Sequence, residues 1–521
     1  MSDADVIVIG SGHNGLVAAA YCAVAGKKVL VLERNAWFGG GVVTRELTRP
    51  GFKHDQHSMS HIFIQGNPLL LNDELGLKRK YGLKYLFPEK PMMSVWEDGR
   101  TLSLYRDNAR SVAEVAKFSE RDAKTFAEMS ARAAGWLPMI MASLYTPPMP
   151  VGASHAMLDQ SREGREIWRI MQMSSHEVLC DLFESDEVRM HFARVAGENL
   201  VSPDEKATGV GAFVFLGFLE KFGFGVPVGG SGALTAALIA CIENHGGTVV
   251  ASAEVREVTA SGGRVTGVVL DDGTRHTAKD AVIGALHPHL LPGLVPAMEP
   301  QAAKDAKATL ITDAACITVH AALDAPLKFK TPGCDAVMVE LMPNSYEDLR
   351  RAFDELRYGQ FMPVPLVGLG SLSQFDPARV PAGKATLHAW DYVPFERPDG
   401  RPWDETKRDY AEVMLARMAR FIDNVPGDVI EAHVDSPLDM QRTSPSFLRG
   451  DLHGIATTTW QSGAHRPTPE LGQYTVPGVE RLYLVGPFQH PGGGVFGAGR
   501  ATAHVLLDEL GVDLEDVRVR A

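Results

Sequence analysis

The sequence is poor in cysteine, with 5 cysteines in 521 residues and no C-x-x-C spacing. An odd number of scattered cysteines argues against a disulfide scaffold and against dithiol redox chemistry, and it favours a reducing compartment. We therefore expect a cytoplasmic protein.

Long apolar runs and an excess of positive charge are also missing. No stretch reaches 18 apolar residues, and no basic segment precedes the first apolar run, so we expect neither a membrane span nor a secretory signal. The chain has 51 basic and 64 acidic residues, and its formal charge of −13 argues against nucleic acid as a partner. The length and the 45% hydrophobic content are typical of a globular chain of two domains.

A glycine pattern follows the first apolar run. Residues 6–9 are typical of a buried parallel strand, and Gly10, Gly12 and Gly15 then match G-x-G-x-x-G. In that pattern the first glycine allows a tight turn, the second lets a pyrophosphate approach the backbone, and the third lets helix and strand pack closely. Helix formers at residues 16–25 would direct the free N–H groups at the helix start toward the phosphates.

A carboxylate stands where such a unit holds a ribose. Residues 29–32 predict the second strand, and Glu33 ends it, close to the spacing of about 20 residues at which an acid contacts the ribose. A carboxylate here argues against a 2′-phosphorylated nucleotide. The alternative is a βαβ unit that needed small residues for packing alone, but the complete order of strand, glycines, helix, strand and acid favours nucleotide binding.

The end of the chain contains a second glycine-rich turn. The block HPGGGV, residues 490–495, follows a predicted strand at residues 482–485 and precedes a predicted helix from about residue 495. Such a turn directs a helix N-terminus toward a group that carries or develops negative charge. Packing against the first βαβ unit would explain Gly497 and Ala501, but not the three glycines that follow His490 and Pro491.

The middle of the chain predicts helices first and strands later. Residues 70–225 are predicted to be mostly helical and are rich in methionine. Their apolar segments at 136–150 and 209–219 have three alternative explanations: plain core, the lining of a pocket for a long apolar ligand, or contact with a membrane surface. Strands are predicted at residues 248–258, 264–270, 274–277 and 281–285, and helices at 233–244 and 406–422.

A group of polar residues lies between these regions, in GFKHDQHSMSH. It places His54, Asp55, His57 and His61 within eight positions. The composition resembles a metal site, but no third ligand on a predicted helix accompanies these histidines. We expect a polar wall beside the cofactor and no metal.

Taken together, these blocks resemble a known family. GSGHNGLVAAAYCAVAGKKVLVLER followed by a glycine doublet, PVGGSGALTAAL with AVIGALHP, and LYLVGPFQHPGGGVFGAGR are similar to the phytoene desaturase and amine oxidase superfamily of FAD flavoproteins. HPGGGV and RPTPE, residues 466–470, are most similar to the branch called pyridine nucleotide-disulfide oxidoreductase domain-containing protein. No cysteine pair supports the disulfide part of that name.

The resemblance implies an α/β fold with two domains. A Rossmann-like FAD-binding domain of the GR2 type, with a parallel sheet plus a β-meander, would comprise residues 1–70, 225–300 and 455–521. A discontinuous α+β substrate domain would comprise a helix-rich part, residues 71–224, and a mixed α/β part, residues 301–454.

The resemblance also implies where FAD is held. Gly10, Gly12, Gly15 and Glu33 would bind the ADP half, Gly39 and Gly40 would lie along the pyrophosphate and the ring, and Val255 would meet the adenine. Gly486, Gly493, Gly494 and Val495 would lie by the isoalloxazine, and Arg34 and Gly41 complete the predicted set. Gly41 is a departure, because the superfamily often has arginine after the glycine doublet.

The predicted function is that of an FAD-dependent oxidoreductase. It would transfer hydride between an apolar small-molecule substrate and flavin N5, with C–C desaturation or saturation as the leading reaction. His57, His61 and His490 are the candidates for moving the proton, and the alternative for each is a structural role. The competing functions are an amine oxidase and a flavin-dependent isomerase without net redox turnover. Against the amine oxidase, the chain has no lysine after Lys407.

The partners of the reaction are less defined by the sequence. A second dinucleotide pattern with its strand and helix is missing, so the electron acceptor is oxygen, a quinone or another compound rather than a nicotinamide held in a domain of its own. We expect no nucleic acid partner, and contact with a membrane surface is an open alternative. The sequence does not predict the oligomeric state.

Overall fold

The computed structural model of the chain describes residues 3–198 and 200–520. Two large β-sheets and a helical layer organise them. The strands are β1 (Ala4–Ile9), β2 (Val29–Leu32), β3 (Thr44–Arg45), β4 (His54–Asp55), β5 (Tyr85–Leu86), β6 (Met92–Val95), β7 (Thr101–Leu104), β8 (Val226–Pro227), β9 (Thr248–Val250), β10 (Val255–Ser261), β11 (Arg264–Leu270), β12 (Arg275–Gly284), β13 (Ala314–Leu323), β14 (Met338–Leu341), β15 (Gly368–Gly370), β16 (Ala385–Pro394), β17 (Val429–Asp435), β18 (Thr475–Val476) and β19 (Val479–Leu484).

Helices cover both sheets, and most of residues 108–222 are helical. They are α1 (His13–Val24), α2 (Pro68–Leu71), α3 (Asn108–Ala116), α4 (Glu120–Leu144), α5 (Val151–Asp159), α6 (Arg162–Gln172), α7 (Ser175–Leu182), α8 (Asp186–Gly197), α9 (Gly211–Phe222), α10 (Gly232–Asn244), α11 (Leu291–Leu294), α12 (Pro300–Lys307), α13 (Tyr346–Arg357), α14 (Trp403–Met418), α15 (Pro437–Thr443), α16 (Gly499–Glu509) and α17 (Leu514–Arg520). Within the described ranges, none of these helices combines the length and the apolar character needed to cross a bilayer.

The first sheet has the strand order β10-β11-β19-β12-β1-β2-β9, with β18 paired to β19. Strand β1 lies between β12 and β2, and both pairings are parallel. Val6 and Val8 pack into one core with α1, α10 and α16, whereas Ile7 and Ile9 pack into another on the opposite face. Burial on both faces explains why this strand is a continuous apolar run.

The second sheet has the strand order β17-β13-β16-β15-β14-β6-β7. Its central strands β13 and β16 pair antiparallel over their whole length. Ile317 and Val319 of β13 face a core that includes Met414 of α14. Because side chains alternate along a strand, Cys316 and Thr318 point the opposite way, and both line a cavity.

The sheets join segments that are far apart in the sequence. Strands β6 and β7 share the second sheet with strands from the fourth and fifth hundred residues, and β19 shares the first sheet with β1. This arrangement is compatible with the discontinuous domains expected from the sequence, whose boundaries stay a prediction.

Four predicted elements differ in the structure. The strand expected at residues 248–258 is two strands, because Ser252 has a left-handed backbone, with φ 54, between them. The strands expected at 274–277 and 281–285 are one strand, β12, which pairs antiparallel with β11 at its start and parallel with β1 at its end. The helix expected from residue 495 begins at Gly499, after Gly494 and Gly497 adopt φ 109 and φ 69.

Candidate active site

A cavity of about 600 Å³ is lined by residues of both large sheets. Ile9 at the end of β1 and Leu32 at the end of β2 contribute from the first sheet, as expected for a ligand site beyond the carboxyl ends of parallel strands. Thr318 of β13 and Trp390 of β16 contribute from the second. The cavity therefore connects the nucleotide-binding pattern to a second region supplied by other strands.

The start of α1 opens directly into this cavity. Gly12 precedes the helix with φ −58, and Gly12, His13, Asn14 and Gly15 all line the cavity. A Cβ added to Gly15 would lie 2.5 Å from the carbonyl oxygen of Gly10, so this position accepts only glycine, whereas a Cβ added to Gly12 would meet no atom of the described chain within 4 Å. The helix thus offers free backbone N–H groups at an unobstructed surface, which suits an anion.

Glu33 is buried at the end of β2 beside this turn. Its Oε2 accepts from the N–H of Ser11 at 2.9 Å and from the Ser11 hydroxyl at 2.7 Å, and its Oε1 accepts from the N–H of Asn35 at 2.9 Å. The carboxylate is therefore fixed in orientation. It faces the cavity, where its remaining lone pairs are available to hydroxyl donors.

The glycine doublet lies against the first turn. Gly12 and Gly39 form an isolated parallel bridge, and the Gly39 N–H donates to the Ser11 hydroxyl at 3.3 Å. A Cβ on Gly40 would lie 3.0 Å from the Gly12 Cα, and Gly40 lines the cavity with Gly41. Two backbone segments without side chains therefore form one continuous wall.

The C-terminal glycine block meets the N-terminal turn. Gly494 approaches the His13 ring through its backbone, and Gly499 packs against the Asn14 carbonyl so closely that no side chain would fit. Gly486, Gly494 and Val495 line the cavity. Residues from the two ends of the chain thus face the same space.

Most residues that the sequence predicts for the cofactor line this cavity. They are Gly10, Gly12, Gly15, Glu33, Arg34, Gly40, Gly41, Val255, Gly486, Gly494 and Val495. Gly39 and Gly493 are absent from the lining, because Gly39 packs on Val42 and Gly493 packs on His453. The individual binding roles stay predictions.

The three predicted catalytic histidines differ in position. His57 lines the cavity and is half-buried, and neither of its buried ring nitrogens has a hydrogen-bond partner within the described ranges. His61 is outside the lining, and its ring contacts the Tyr85 hydroxyl at 2.9 Å and the Ser231 hydroxyl at 3.1 Å. His490 is also outside the lining, and its Nε2 contacts the Ser143 carbonyl oxygen at 2.8 Å. Of the three, only His57 lies beside the cavity, and the catalytic roles of all three stay predictions.

Burial sets the protonation state of His57. It lowers the pKa of His57 to about 4, so the ring is neutral at neutral pH. A neutral imidazole with two free nitrogens can both accept and donate a proton. His57 thus presents a neutral ring to the cavity, and its part in proton transfer stays a prediction.

An acidic group in the cavity was not predicted from the sequence. Glu198, which follows α8, lines the cavity, and its Oε1 accepts from the Tyr392 hydroxyl at 2.8 Å and lies 3.0 Å from Nη1 of the buried Arg194. Arg194 also lies 2.9 Å from the buried Glu340, and burial raises the pKa of Glu340 to about 8. Arg194 thus lies between the two carboxyl groups and offsets their negative charge.

The signal for part of this wall was present in the sequence. His388, Trp390 and Tyr392 alternate along β16 and all line the cavity, as a period of two residues requires for one face of a strand. Glu198 has no comparable local pattern, because its position depends on the packing of α8 against distant strands.

The residues fit FAD on two observations of the structure. The wall formed by Gly12 and Gly40 leaves room for a phosphate at the start of α1, and Glu33 is oriented toward the same space. His13 Nε2 and Asn14 Oδ1, also in the first turn of α1, are buried without a partner among the described residues. A polar ligand would satisfy them.

We expect Glu33→Gln to weaken FAD binding about ten- to a hundredfold. The carboxamide loses the charge that orders the Ser11 and Asn35 donors, and a hydrogen bond to a charged group contributes about 1.5–3 kcal/mol. The dissociation constant, measured by quenching of FAD fluorescence on adding apoprotein, reports this change. Glu254→Gln is the matched control, since Glu254 lines the cavity but its side chain is 53% exposed. Equal affinities for native protein and Glu33→Gln would contradict the assignment.

The chain matches known proteins over nearly its full length. The model of the family described as flavin containing amine oxidoreductase matches residues 15–392. Pyridine nucleotide-disulfide oxidoreductase domain-containing protein 2 of Rattus norvegicus is 28% identical, covering 97% of this chain and 94% of that protein. A limonene dehydrogenase subunit of Castellaniella defragrans is 25% identical, covering 98% of this chain and 95% of that protein. These matches confirm the resemblance predicted from the glycine-rich blocks.

A solved structure shows the same fold. An oxidoreductase from Methanosarcina mazei superimposes with a TM-score of 0.63 at 18% identity, covering 96% of this chain and 99% of that one. Both the sheet architecture and the family model thus agree with the predicted Rossmann-like α/β fold. The chain belongs to the flavin containing amine oxidoreductase family and is an FAD-dependent oxidoreductase.

Proposed function

We propose that the protein transfers a hydride between an apolar small molecule and FAD, forming or saturating a C–C double bond. The observation that carries the proposal is the apolar part of the cavity. Beyond the glycine wall, the lining includes the apolar side chains of Met59, Ile62, Phe63, Leu200, Met338 and Leu452, together with Trp390. Such a surface favours a hydrocarbon-like ligand, because it gains free energy from removing apolar area from water.

In this proposal, one region of the cavity binds FAD and another binds the substrate. The start of α1, the glycine doublet and Glu33 hold the ADP half of FAD, and the apolar region holds the substrate and excludes water. Bound FAD supplies a flavin N5 that accepts or donates a hydride. His57, neutral and without a protein partner in the described chain, takes up or returns the proton that accompanies the hydride.

The name of one relative supports the same substrate class. The limonene dehydrogenase of Castellaniella defragrans is named for a hydrocarbon, and its matching chain resembles this one from end to end. Limonene is therefore one of the compounds with which the proposal is tested.

An amine substrate is the second candidate, and Glu198 is the observation that favours it. A carboxylate in the cavity would attract an ammonium group. Against this candidate, Nη1 of Arg194 lies 3.0 Å from Glu198 and balances its charge. A cation would therefore have to compete with a buried arginine.

The test is anaerobic mixing of the FAD-loaded protein with a panel of compounds while the flavin absorbance near 450 nm is recorded. The panel comprises limonene, phytoene in detergent micelles, cyclic ketones and primary amines, and the products are weighed by mass spectrometry. If the protein forms double bonds, we expect a hydrocarbon to bleach the oxidised flavin and its product to be lighter by two hydrogens. If the protein saturates double bonds, we expect an unsaturated compound to reoxidise the reduced flavin and its product to be heavier by two hydrogens. Bleaching by amines alone would establish an amine oxidase. A product of unchanged mass with an unbleached flavin would establish an isomerase.

A pair of variants checks that the apolar region holds the substrate. Met338→Gln places an amide in the cavity, and we expect the rate of bleaching at low substrate to fall about tenfold, equivalent to about 1.4 kcal/mol. Met157→Gln is the matched control, because Met157 is 45% exposed on α5 and outside the lining. Equal rates for both variants would place the substrate elsewhere.

A further inference from the structure

Three histidines lie side by side across three neighbouring strands of the second sheet. In the strand pairing, His320 of β13 is directly opposite His388 of β16 on one side and His433 of β17 on the other. The ring centroids are 4.5 Å apart between His320 and His388, and 6.3 Å apart between His320 and His433. Directly opposite residues point to the same face of a sheet, so the three rings form one row. We call these three residues the histidine row.

The two ends of the histidine row have different surroundings. His388 lines the cavity, on the same face as Thr318 and Trp390. The His433 side chain is 35% exposed, and its Nε2 lies 2.9 Å from Oδ1 of Asp435. The row therefore leads from the cavity to the protein surface.

The middle of the row is buried without protein partners. His320 is fully buried, and within the described chain neither of its ring nitrogens has a hydrogen-bond partner, nor does Nδ1 of His388. A buried polar atom left unsatisfied costs about 1–3 kcal/mol, so this arrangement needs a compensating ligand, water or function. His54 packs edge-on against His320 at 5.7 Å and donates to or accepts from the Thr48 hydroxyl instead.

Two explanations for such a cluster can be compared. Within residues 3–198 and 200–520, no three histidine, cysteine or acidic side chains are arranged to hold a metal ion. Burial lowers the pKa of His388 to about 3 and that of His320 well below its usual value, so both rings are neutral. A neutral imidazole accepts a proton on one nitrogen and releases another from the second, so neighbouring rings bridged by water can relay protons.

We propose that His388, His320 and His433 form a proton path between the cavity and the solvent, with water bridging His320 to His388 and to His433. The need for such a path rests on the proposed function. When a double bond forms, one C–H bond is lost as a hydride, whose electron pair and hydrogen pass to FAD. The neighbouring C–H bond is lost as a proton, which His57 takes up and passes within the cavity to His388, and which leaves from His433 to water. In the saturating direction the same proton moves inward.

The path can be tested without a substrate. The FAD-loaded full-length protein is labelled with ¹⁵N-histidine, and the exchange of each ring N–H hydrogen with water is measured by saturation transfer, with His320→Gln identifying the His320 signal. His191 is the internal reference. It is equally buried, its Nδ1 lies 2.7 Å from the Ser94 hydroxyl, its Nε2 lacks a partner in the described chain, and it lies outside the row.

We expect the His320 hydrogen to exchange at least tenfold faster than that of His191. His388→Gln and His433→Gln, which keep a polar side chain but cannot relay a proton, should each slow His320 exchange, and the double variant should bring it to the rate of His191. Exchange of His320 as slow as that of His191 in the native protein would overturn the proposal. So would a slowing by only one of the two variants, because a path must be open at both ends. Retained FAD absorbance verifies that each variant is folded, and a failed search for substrates leaves this result unaffected.

Discussion

Gly12→Asp is expected to yield a folded but colourless protein that retains less than a tenth of the native FAD content. Gly12 has φ −58, a conformation open to any residue, and an added Cβ meets no atom of the described chain within 4 Å. The protein itself therefore tolerates the side chain. The loss arises because the new carboxylate stands in the space where the start of α1 presents its N–H groups.

The size of this effect follows from elementary electrostatics. Two unit charges of like sign 4 Å apart repel by about 4 kcal/mol at an effective dielectric constant of 20, which corresponds to about a thousandfold in affinity. The ratio of absorbance at 450 nm to that at 280 nm in the purified protein measures FAD content directly.

Two controls separate the causes. Gly135→Asp makes the same change at an exposed glycine of α4, where a Cβ also meets no described atom within 4 Å, and it should retain full FAD. Gly12→Asn keeps the size and removes the charge, so it should retain more FAD than Gly12→Asp. Native FAD content in Gly12→Asp would show that the phosphates lie elsewhere.

The nucleotide-binding side of the cavity could be predicted from the sequence because it depends on local rules. The order of strand, glycines, helix and acid at residues 6–33 reproduces a geometry in which each residue type has a separate steric reason, and the strand Val29–Leu32 has the predicted bounds. Gly15 is an example of such a steric reason, since a Cβ added there would collide with the Gly10 carbonyl oxygen, only five residues away in the sequence. Short-range constraints of this kind leave a pattern that can be recognised without a structure.

The substrate side of the cavity could not be predicted in the same way. Glu198, Thr318 and Tyr392 lie in three different parts of the chain, and strand pairing and helix packing bring them together. The alternation along β16 marks Tyr392 as one face of a strand, but the neighbours of Glu198 and Thr318 in the sequence do not mark these two as different from ordinary core or surface residues. Likewise, proximity in the sequence places His61 with His57 among the candidates for proton transfer, but of these two residues only His57 lines the cavity.

The predicted start of the last helix failed for a different physical reason. Alanine and glycine at residues 497–503 are compatible with helix, but propensity does not report backbone handedness. Gly494 and Gly497 adopt positive φ, which delays the helix to Gly499 and leaves Val495 in the turn beside the cavity. The glycines therefore shape the wall of the cavity rather than the helix itself.

The largest expected loss of stability comes from Arg379→Met. Arg379 is 1% exposed, and its Nη1 lies 2.5 Å from Oδ2 of Asp55, which is equally buried. Its Nε lies 3.1 Å from Oδ2 of Asp376, and its Nη2 donates to the Pro227 carbonyl at 2.7 Å. The other oxygen of Asp55 accepts from the N–H of Ser231 at 2.7 Å. One guanidinium thus connects the segment that carries His57 to the start of α10 and to the second sheet region.

Removing this cation leaves two buried carboxylates without their partner. Breaking a buried ion pair from one side destabilises a protein by about 3–5 kcal/mol, and we expect the unfolding temperature of the FAD-loaded protein to fall by about 3–5 °C. Arg351→Met is the matched control, because the Arg351 and Glu347 side chains are 69% and 68% exposed, and a surface pair contributes about 0–1 kcal/mol. In the double variant Asp55→Asn with Arg379→Met, one of the two uncompensated charges is gone, so part of the loss should be recovered. Equal unfolding temperatures for Arg379→Met and Arg351→Met would show that the buried network does not hold the wall of the cavity in place.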